Sequence, residues 1–370
     1  MSDVVVVGGG IAGVSIGYEL ARLGADRVVL VEAESTLAVH STGRSAATYL
    51  PSYGPPPVRA LTVASRSRFD RLAAEFELAD PLTPRGCLMV ATDERSEHAL
   101  AEELAAQPEL VELTAREALD RCRALRPEAV RRAGWDGGGM DIDVLGVHQA
   151  YRRGLVARRG SIVTSAPVRS MRPRRGGGWR VVAGEHRLDC DLVVNAAGAW
   201  ADRVAGMAGV PPAGFTPKRR GVCTAPVDPA AGLGRGDPVV TDTAERWYFR
   251  PEGDGVLVSP ADADPVEPGD AKPDELHIAR ALEAVNDVTR LGLRSVRAVW
   301  AGLRTFAPDG GPVVGGWPEH PGFAFYAGQG GYGIQMAPAL AEFAASVLLG
   351  QSPPADIALE PDALAPTRLR

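Results

Sequence analysis

Two groups of residues in this chain have types and spacings that could do chemistry. The first is one charge in an apolar setting. The run "VWAGLRTFAPDGGPVVGG", which starts at Val299, holds Arg304 among glycines and large apolar side chains. A guanidinium keeps its proton, so if Trp300, Leu303 and Phe306 carry Arg304 inward, it needs an anion there. Taken alone, the stretch reads more simply as an edge strand whose arginine reaches water. The second group is Gly8-Gly9-Gly10-Ile11-Ala12-Gly13 with Glu32 further on. Glycines in that order followed about 20 residues later by an acid suit a dinucleotide. Gly8 permits a tight turn and Gly10 lets backbone approach a pyrophosphate at the positive end of a helix. Gly13 lets the helix pack closely, and Glu32 would accept hydrogen bonds from a ribose hydroxyl.

The elements around the glycines are the ones such a site requires. Val4 to Val7 is a continuous apolar run of strand length, Ile16, Leu20 and Leu23 recur at helical spacing, and Val28 to Val31 forms a second apolar run. The next stretch, "HSTGRSAATYLPSYG" from His40 to Gly54, distinguishes FAD from NAD. Ser41, Thr42, Gly43, Arg44 and Ser45 offer donors and little bulk, which suits a segment lying against a second phosphate and an isoalloxazine ring. The plainer alternative is a serine-rich loop that caps a helix. "DLVVNAAGAWADRVAGMAG" reads as a buried strand over 192–194, small residues at Ala196, Ala197 and Gly198, and a helix from near Ala201. "FAFYAGQGGYGIQMAPALAEFAASVLLG" repeats the design, with a glycine turn over 328–333 and a helix to about Leu349 whose N-terminus could face an anionic reduced flavin.

Composition narrows the remaining classes. A chain of 370 residues exceeds what one core usually supports, so two domains are expected. The net charge of -6 has no long single-sign block, which argues against nucleic acid as a partner. Cys87, Cys122, Cys190 and Cys223 lie far apart and the six histidines are scattered, suggesting neither a metal site nor a disulfide framework. The first apolar run is too short to cross a bilayer and has no basic region before it, so the expectation is a cytoplasmic enzyme with no transmembrane segment, peripheral membrane association being left open. Strands are predicted over 215–225, 246–250, 256–258 and 296–303, a long helix over 274–290, and domain crossings at Pro211-Pro212 and over 307–312.

With these segments in view, the chain resembles the FAD-dependent D-amino-acid oxidase superfamily, and within it the bacterial D-arginine dehydrogenase type. The likeness runs nearly end to end through "HSTGRSAA", "YGPPPVRALTVASR", "DIDVLGVHQAYRRG", "VVNAAGAWADRVAGMAGV", "PKRRG", "SPADADPVEP", "WAGLRTFAPDG" and "GGYGIQ". The resemblance implies an α/β fold with a Rossmann-like FAD domain of the glutathione-reductase type (1–78, 139–210, 307–370). A second, α+β substrate domain would be built on a large mixed sheet (79–138, 211–306). It implies non-covalent FAD held by Gly8, Gly10, Ile11, Ala12, Gly13, Glu32, Ser41, Thr42, Gly43, Arg44, Ser45, Ala46 and Ala47 from the first half of the chain. Val168, Ala197, Gly198, Trp200, Gly302, Gly330, Tyr332, Gly333, Ile334 and Gln335 complete that set.

For substrate, the resemblance puts Arg304 on the α-carboxylate as a bidentate partner, Arg220 as a second guanidinium, Tyr248 as a hydroxyl contact, the Gly331 carbonyl on the amine, and Tyr53 on a loop over the pocket. The sequence departs from the arginine-preferring enzymes at Cys87, where they carry a glutamate, and at Thr48 and Leu50. Losing a carboxylate partner forfeits roughly 1.5–3 kcal/mol for a cationic substrate. The expected reaction is therefore oxidative deamination of neutral or hydrophobic D-amino acids, with hydride passing from Cα to flavin N5 and the imino acid hydrolysing to a 2-oxo acid and ammonia. Two alternatives are oxidation of N-alkyl or cyclic imino acids on the same fold and an FAD subunit of a larger electron-transfer complex. Oxygen, a quinone or another acceptor would reoxidise the flavin, and the chain would be a monomer or small homo-oligomer.

Overall fold

The computed structural model describes residues 3–370. Two large sheets organise it. The first has six strands, in the order Val313–Gly315, Phe323–Ala327, Leu192–Asn195, Asp3–Val7, Arg27–Val31, Ser161–Val163, all parallel except the pair made by the first two. Its valine runs are buried on both faces, which is why they show no polar alternation. Val4 and Val6 pack under the helices Ile11–Arg22, Pro56–Phe76, Val144–Ala157 and Gly333–Leu348. Val5 and Val7 pack with the antiparallel meander formed by Val168–Pro173, Trp179–Ala183 and His186–Cys190.

The second sheet has nine strands, in the order Gln329–Gly330, Ala298–Phe306, Thr216–Pro226, Gly255–Ser259, Tyr248–Glu252, Val239–Asp242, Cys87–Ala91, Arg132–Asp136, Val111–Leu113. It is mixed, because Val239–Asp242 and Cys87–Ala91 run parallel while the other pairs are antiparallel. The helix Glu275–Val288 covers one face, with Ile278 and Val285 packed against Cys223, Val256 and Val258. A small sheet of Thr48–Tyr49, Met140–Ile142 and Leu82–Pro84 lies between the segments that feed the two large ones.

One crossing between the sheets positions the site directly. After Phe323–Ala327 the chain turns at Gly328 and pairs as Gln329–Gly330 with Thr305 and Phe306. Gly328 has φ +73, and a Cβ there would lie 2.8 Å from the Phe215 ring, so the turn accepts only glycine without rearrangement. The helix Gly333–Leu348 starts immediately afterwards.

Candidate active site

The glycine turn is shaped for close approach. A Cβ on Gly13 would fall 1.8 Å from the Gly8 carbonyl oxygen, so the contact that requires glycine is between helix and turn. Gly8 has φ +110 and sits against the Ala196 carbonyl. Helix Ile11–Arg22 has no capping side chain from Gly10 and no acid in its first turn, which leaves its positive end facing the cavity. Glu32 accepts from the Gly9 N–H at 2.5 Å and the Glu34 N–H at 2.9 Å, holding its carboxylate over the turn.

The segment over 41–48 spends its polar side chains on protein groups. Thr42 Oγ1 accepts from the Ile11 N–H at 2.9 Å, and Ser41 Oγ donates to the Leu303 carbonyl at 2.7 Å. Arg44, expected to supply donors to the cofactor, instead directs its guanidinium to the Ala301 carbonyl at 2.9 Å and to Asp270 at 2.6 Å, tying this segment to the nine-stranded sheet. Gly302 faces this segment at the Arg44 Cβ. Small size, more than side-chain donors, is what the segment offers a cofactor.

A single cavity of about 450 Å³ runs from the glycine turn to the nine-stranded sheet. Its walls include Gly8, Gly10, Ile11, Ala12, Glu32, Ser41, Thr42, Arg44, Ser45, Ala46, Val168, Ala197, Gly198 and Trp200 at one end. Arg220, Tyr248, Gly302, Arg304, Gly330, Gly331, Gly333, Ile334, Gln335 and Thr48 line the other. Gly13, Gly43 and Ala47 stand behind the wall: Gly43 is pressed on the Ala38 carbonyl, and the Ala47 carbonyl accepts from the Ile142 N–H. Gln335 holds the Leu50 backbone, accepting from its N–H at 3.1 Å, and donates to Thr62 at 3.0 Å. Helix Gly333–Leu348 also begins with no capping side chain and no first-turn acid. Two helix N-termini with no first-turn acid, one of them with its first N–H taken by Thr42, and a glycine cradle on one cavity fit an anionic dinucleotide carrying a flavin.

At the far end, strand register decides which side chains meet. Lys218 pairs with Arg304 and Arg220 with Gly302, so Arg220 and Arg304 share the face that lines the cavity. Arg304 donates to the Tyr53 hydroxyl at 3.2 Å. The buried Arg220 Nε and the Tyr248 hydroxyl have no partner. Neither arginine forms an ion pair among the described residues. Burial, and then the like charge of Arg304, pull Arg220 below the ordinary guanidinium range. A Cβ on Gly331 would lie 2.9 Å from the Arg304 guanidinium. Tyr332 stays outside the wall and braces Tyr53 edge-on, with ring centroids 5.0 Å apart.

Cys87 and Leu50 lie off this cavity. Strand Cys87–Ala91 is internal to the nine-stranded sheet, and the Cys87 thiol packs with Met89, Leu100, Leu110 and Val239, with Leu50 against the same cluster. Neither lines the cavity, whereas Thr48 does. One residue went unnoticed in the sequence: the buried His148 Nε2 lies 3.0 Å from the Gly9 carbonyl and supports the glycine turn from below. Its only signal is a histidine on the inward face of an amphipathic helix. The cluster Asp262, Asp264 and His277 lies on the opposite face of the sheet and already contains a cation, since Arg219 donates to Asp262 at 3.2 Å and Asp264 at 2.7 Å.

Residues 3–347 match the family model described as FAD dependent oxidoreductase (DAO). The chain belongs to this family. It is 28% identical to mitochondrial dimethylglycine dehydrogenase of Mus musculus over 394 residues, covering 98% of this chain and 44% of that protein. The chain thus spans less than half the length of that relative. It is 26% identical to glycine oxidase of Bacillus licheniformis, covering 94% of this chain and 93% of the relative. The solved glycine oxidase of Geobacillus kaustophilus superposes with a TM-score of 0.86 at 22% identity, over 99% and 98% of the two chains. L-proline dehydrogenase from P. horikoshii gives 0.81 at 21%, over 99% and 97%. The DAO-type fold and FAD as cofactor follow, and the chain is an FAD-dependent oxidoreductase. These relatives support the family without singling out the D-arginine dehydrogenase subgroup. No helix among the described residues is long and apolar enough to cross a membrane.

Proposed function

We propose that the chain oxidises the C–N bond of a small amino acid whose amine is N-alkylated or part of a ring, using non-covalently bound FAD. The observation that carries this is the pair Arg220 and Arg304, facing the cavity with no carboxylate on either among the described residues. Two such guanidiniums suit an incoming carboxylate, bound by the planar fork of Arg304. The acids on the cavity wall, Glu32 and Glu34, belong to the dinucleotide end, so a cationic substrate side chain finds no partner near the arginines. The names of two relatives, for dimethylglycine and L-proline, favour this class over the D-amino acids that the sequence motifs suggest, and that of glycine oxidase favours a small substrate.

When bound, the flavin supplies the acceptor for the hydride of Cα. The chain's own residues orient the substrate: the arginines hold the carboxylate, the Gly331 carbonyl accepts from an amine N–H, the Tyr248 hydroxyl completes the polar wall, and Tyr53, off that wall, holds the Arg304 guanidinium. Cα of the neutral amine loses hydrogen with its electron pair to leave an iminium, which sheds a proton from nitrogen where it carries one, and water hydrolyses the product to a carbonyl compound and an amine. A protonated amine holds its Cα hydrogen tightly, so turnover rises with pH as the substrate amine becomes neutral.

The test is an anaerobic panel of sarcosine, N,N-dimethylglycine, L- and D-proline, glycine, D-leucine and D-arginine, read by flavin absorbance. Bleaching by the N-alkyl or cyclic members at the highest kcat/KM supports the proposal, and preference for D-arginine or D-leucine contradicts it. None of the cysteines lines the cavity, and acid precipitation should release intact FAD.

A further inference from the structure

We propose that Asp136, a buried carboxylate outside the cavity, is a positioning residue for its arginine end: through Ser52 it holds Tyr53 on the Arg304 guanidinium. This rests on the reading of Arg304 as the partner of a substrate carboxylate. Asp136 ends the strand Arg132–Asp136 and is 4% exposed. Burying a carboxylate away from cations is unfavourable unless hydrogen bonds replace the lost water. Asp141, further along the chain, takes Arg85 and Arg250, whereas no ion pair among the described residues includes Asp136. Its two oxygens serve different ends. Oδ1 accepts from the Gly138 N–H at 2.8 Å and closes the turn that follows its own strand. Oδ2 reaches across 84 residues of sequence to Ser52, accepting from the hydroxyl at 2.5 Å and from the N–H at 3.3 Å. The local turn accounts for the first contact and leaves the second unexplained.

The segment that holds Ser52 leads to the site. Pro51 and Pro55 bracket it and fix two of its φ angles, so anchoring Ser52 also restrains Tyr53 beside it. A Cβ on Gly138 would lie 2.8 Å from Pro51 Cγ, so the Asp136 turn and this segment are packed as well as bonded. Tyr53 is in turn the one hydrogen-bond partner of the Arg304 side chain among the described residues, at 3.2 Å. A guanidinium on a flexible stem, with no ion pair, takes its orientation from that bond and from the close packing of Gly331. Asp136 and Arg304 stand on strands that are each one in from opposite edges of the nine-stranded sheet. The segment over 51–55 is what joins them.

Acetate binding to the FAD-loaded protein, followed by calorimetry, tests this without turnover. Ser52→Ala should weaken acetate about threefold to tenfold, the scale of ordering one long side chain, with FAD content and melting temperature unchanged. Asp136→Asn, which loses the charge and one acceptor, should act in the same direction. Tyr53→Phe cuts the link further along, so adding Ser52→Ala to it should change acetate affinity by less than about twofold. A merely structural Ser52 would instead lower the melting temperature and act equally in both backgrounds. Undiminished acetate binding in Ser52→Ala or Asp136→Asn, or the same loss with and without Tyr53→Phe, would overturn the inference. If Ser52→Ala does not retain FAD, Ser52→Cys, similar in size and a weak donor, takes its place in the same comparisons. Acetate affinity that falls in Arg304→Met but not in Ser52→Ala defeats this inference alone. Affinity unmoved by Arg304→Met defeats the carboxylate reading, and the inference with it.

Discussion

Arg219 and Arg220 are neighbours on one strand with opposite surroundings. Arg219 faces the helix-covered side and meets three aspartates, one of which, Asp262, also accepts from the Gly221 N–H at 2.6 Å. Arg220 faces the cavity and meets no acid, its Nε left without a partner. The sheet therefore carries a self-neutralised arginine on one side and an uncompensated one, with Arg304, on the other. A charge the fold neutralises internally serves the fold; a charge left open toward a cavity awaits a ligand.

Substitutions can break this contrast in a graded way. The largest effect is expected from Arg304→Met, which removes the planar fork: amino-acid-driven flavin reduction should fall roughly 10²- to 10³-fold in stopped-flow assays with FAD content unchanged. Next is Arg219→Leu, which strands the buried Asp262 carboxylate and should lower the unfolding free energy by about 3 kcal/mol in chemical denaturation. Arg220→Leu, removing a buried like charge, should leave that stability undiminished. A smaller effect is expected at Gly331→Ala, whose new methyl would meet the Arg304 guanidinium at 2.9 Å; kcat/KM should drop about tenfold with an unchanged melting temperature.

The smallest effect concerns the dinucleotide end. Burial holds His148 below its ordinary value, with its hydrogen bond to Gly9 acting the other way. A histidine whose folded value is depressed contributes stability that is fully present above its unfolded value, near 6.5, and lost as pH falls through the lowered one. FAD retention measured by fluorescence should weaken a few-fold on acidification through that window, and His148→Gln should flatten the profile.

The dinucleotide half was legible because its evidence is contiguous. Strand, glycine turn, helix, strand and acid follow one another over 3–32, and each requirement is local. Four of the nine strands of the second sheet, and its helix, also emerged within a few residues of the predicted ranges, since alternation and helical spacing are local too. Phase across a sheet is not local. Alternation says that Arg219 and Arg220 face opposite ways, and only pairing with Ala298–Phe306 says which one sees the cavity. The surroundings of Cys87 are hidden in the sequence for the same reason: its strand is internal to the sheet, with the thiol in an apolar cluster. Arg44 reaches Asp270, 226 residues away, and His148 reaches Gly9, 139 residues away, contacts that only the folded chain brings together.

The most direct test of the central claim, that Arg304 and Arg220 receive a substrate carboxylate, removes that charge from the substrate itself. Anaerobic flavin reduction by sarcosine is compared with that by sarcosinamide, in the wild type and in Arg304→Met. The account predicts that the wild type discriminates against the amide by at least about 10²-fold in kcat/KM and that Arg304→Met loses most of this discrimination. Equal rates for acid and amide in the wild type would contradict it.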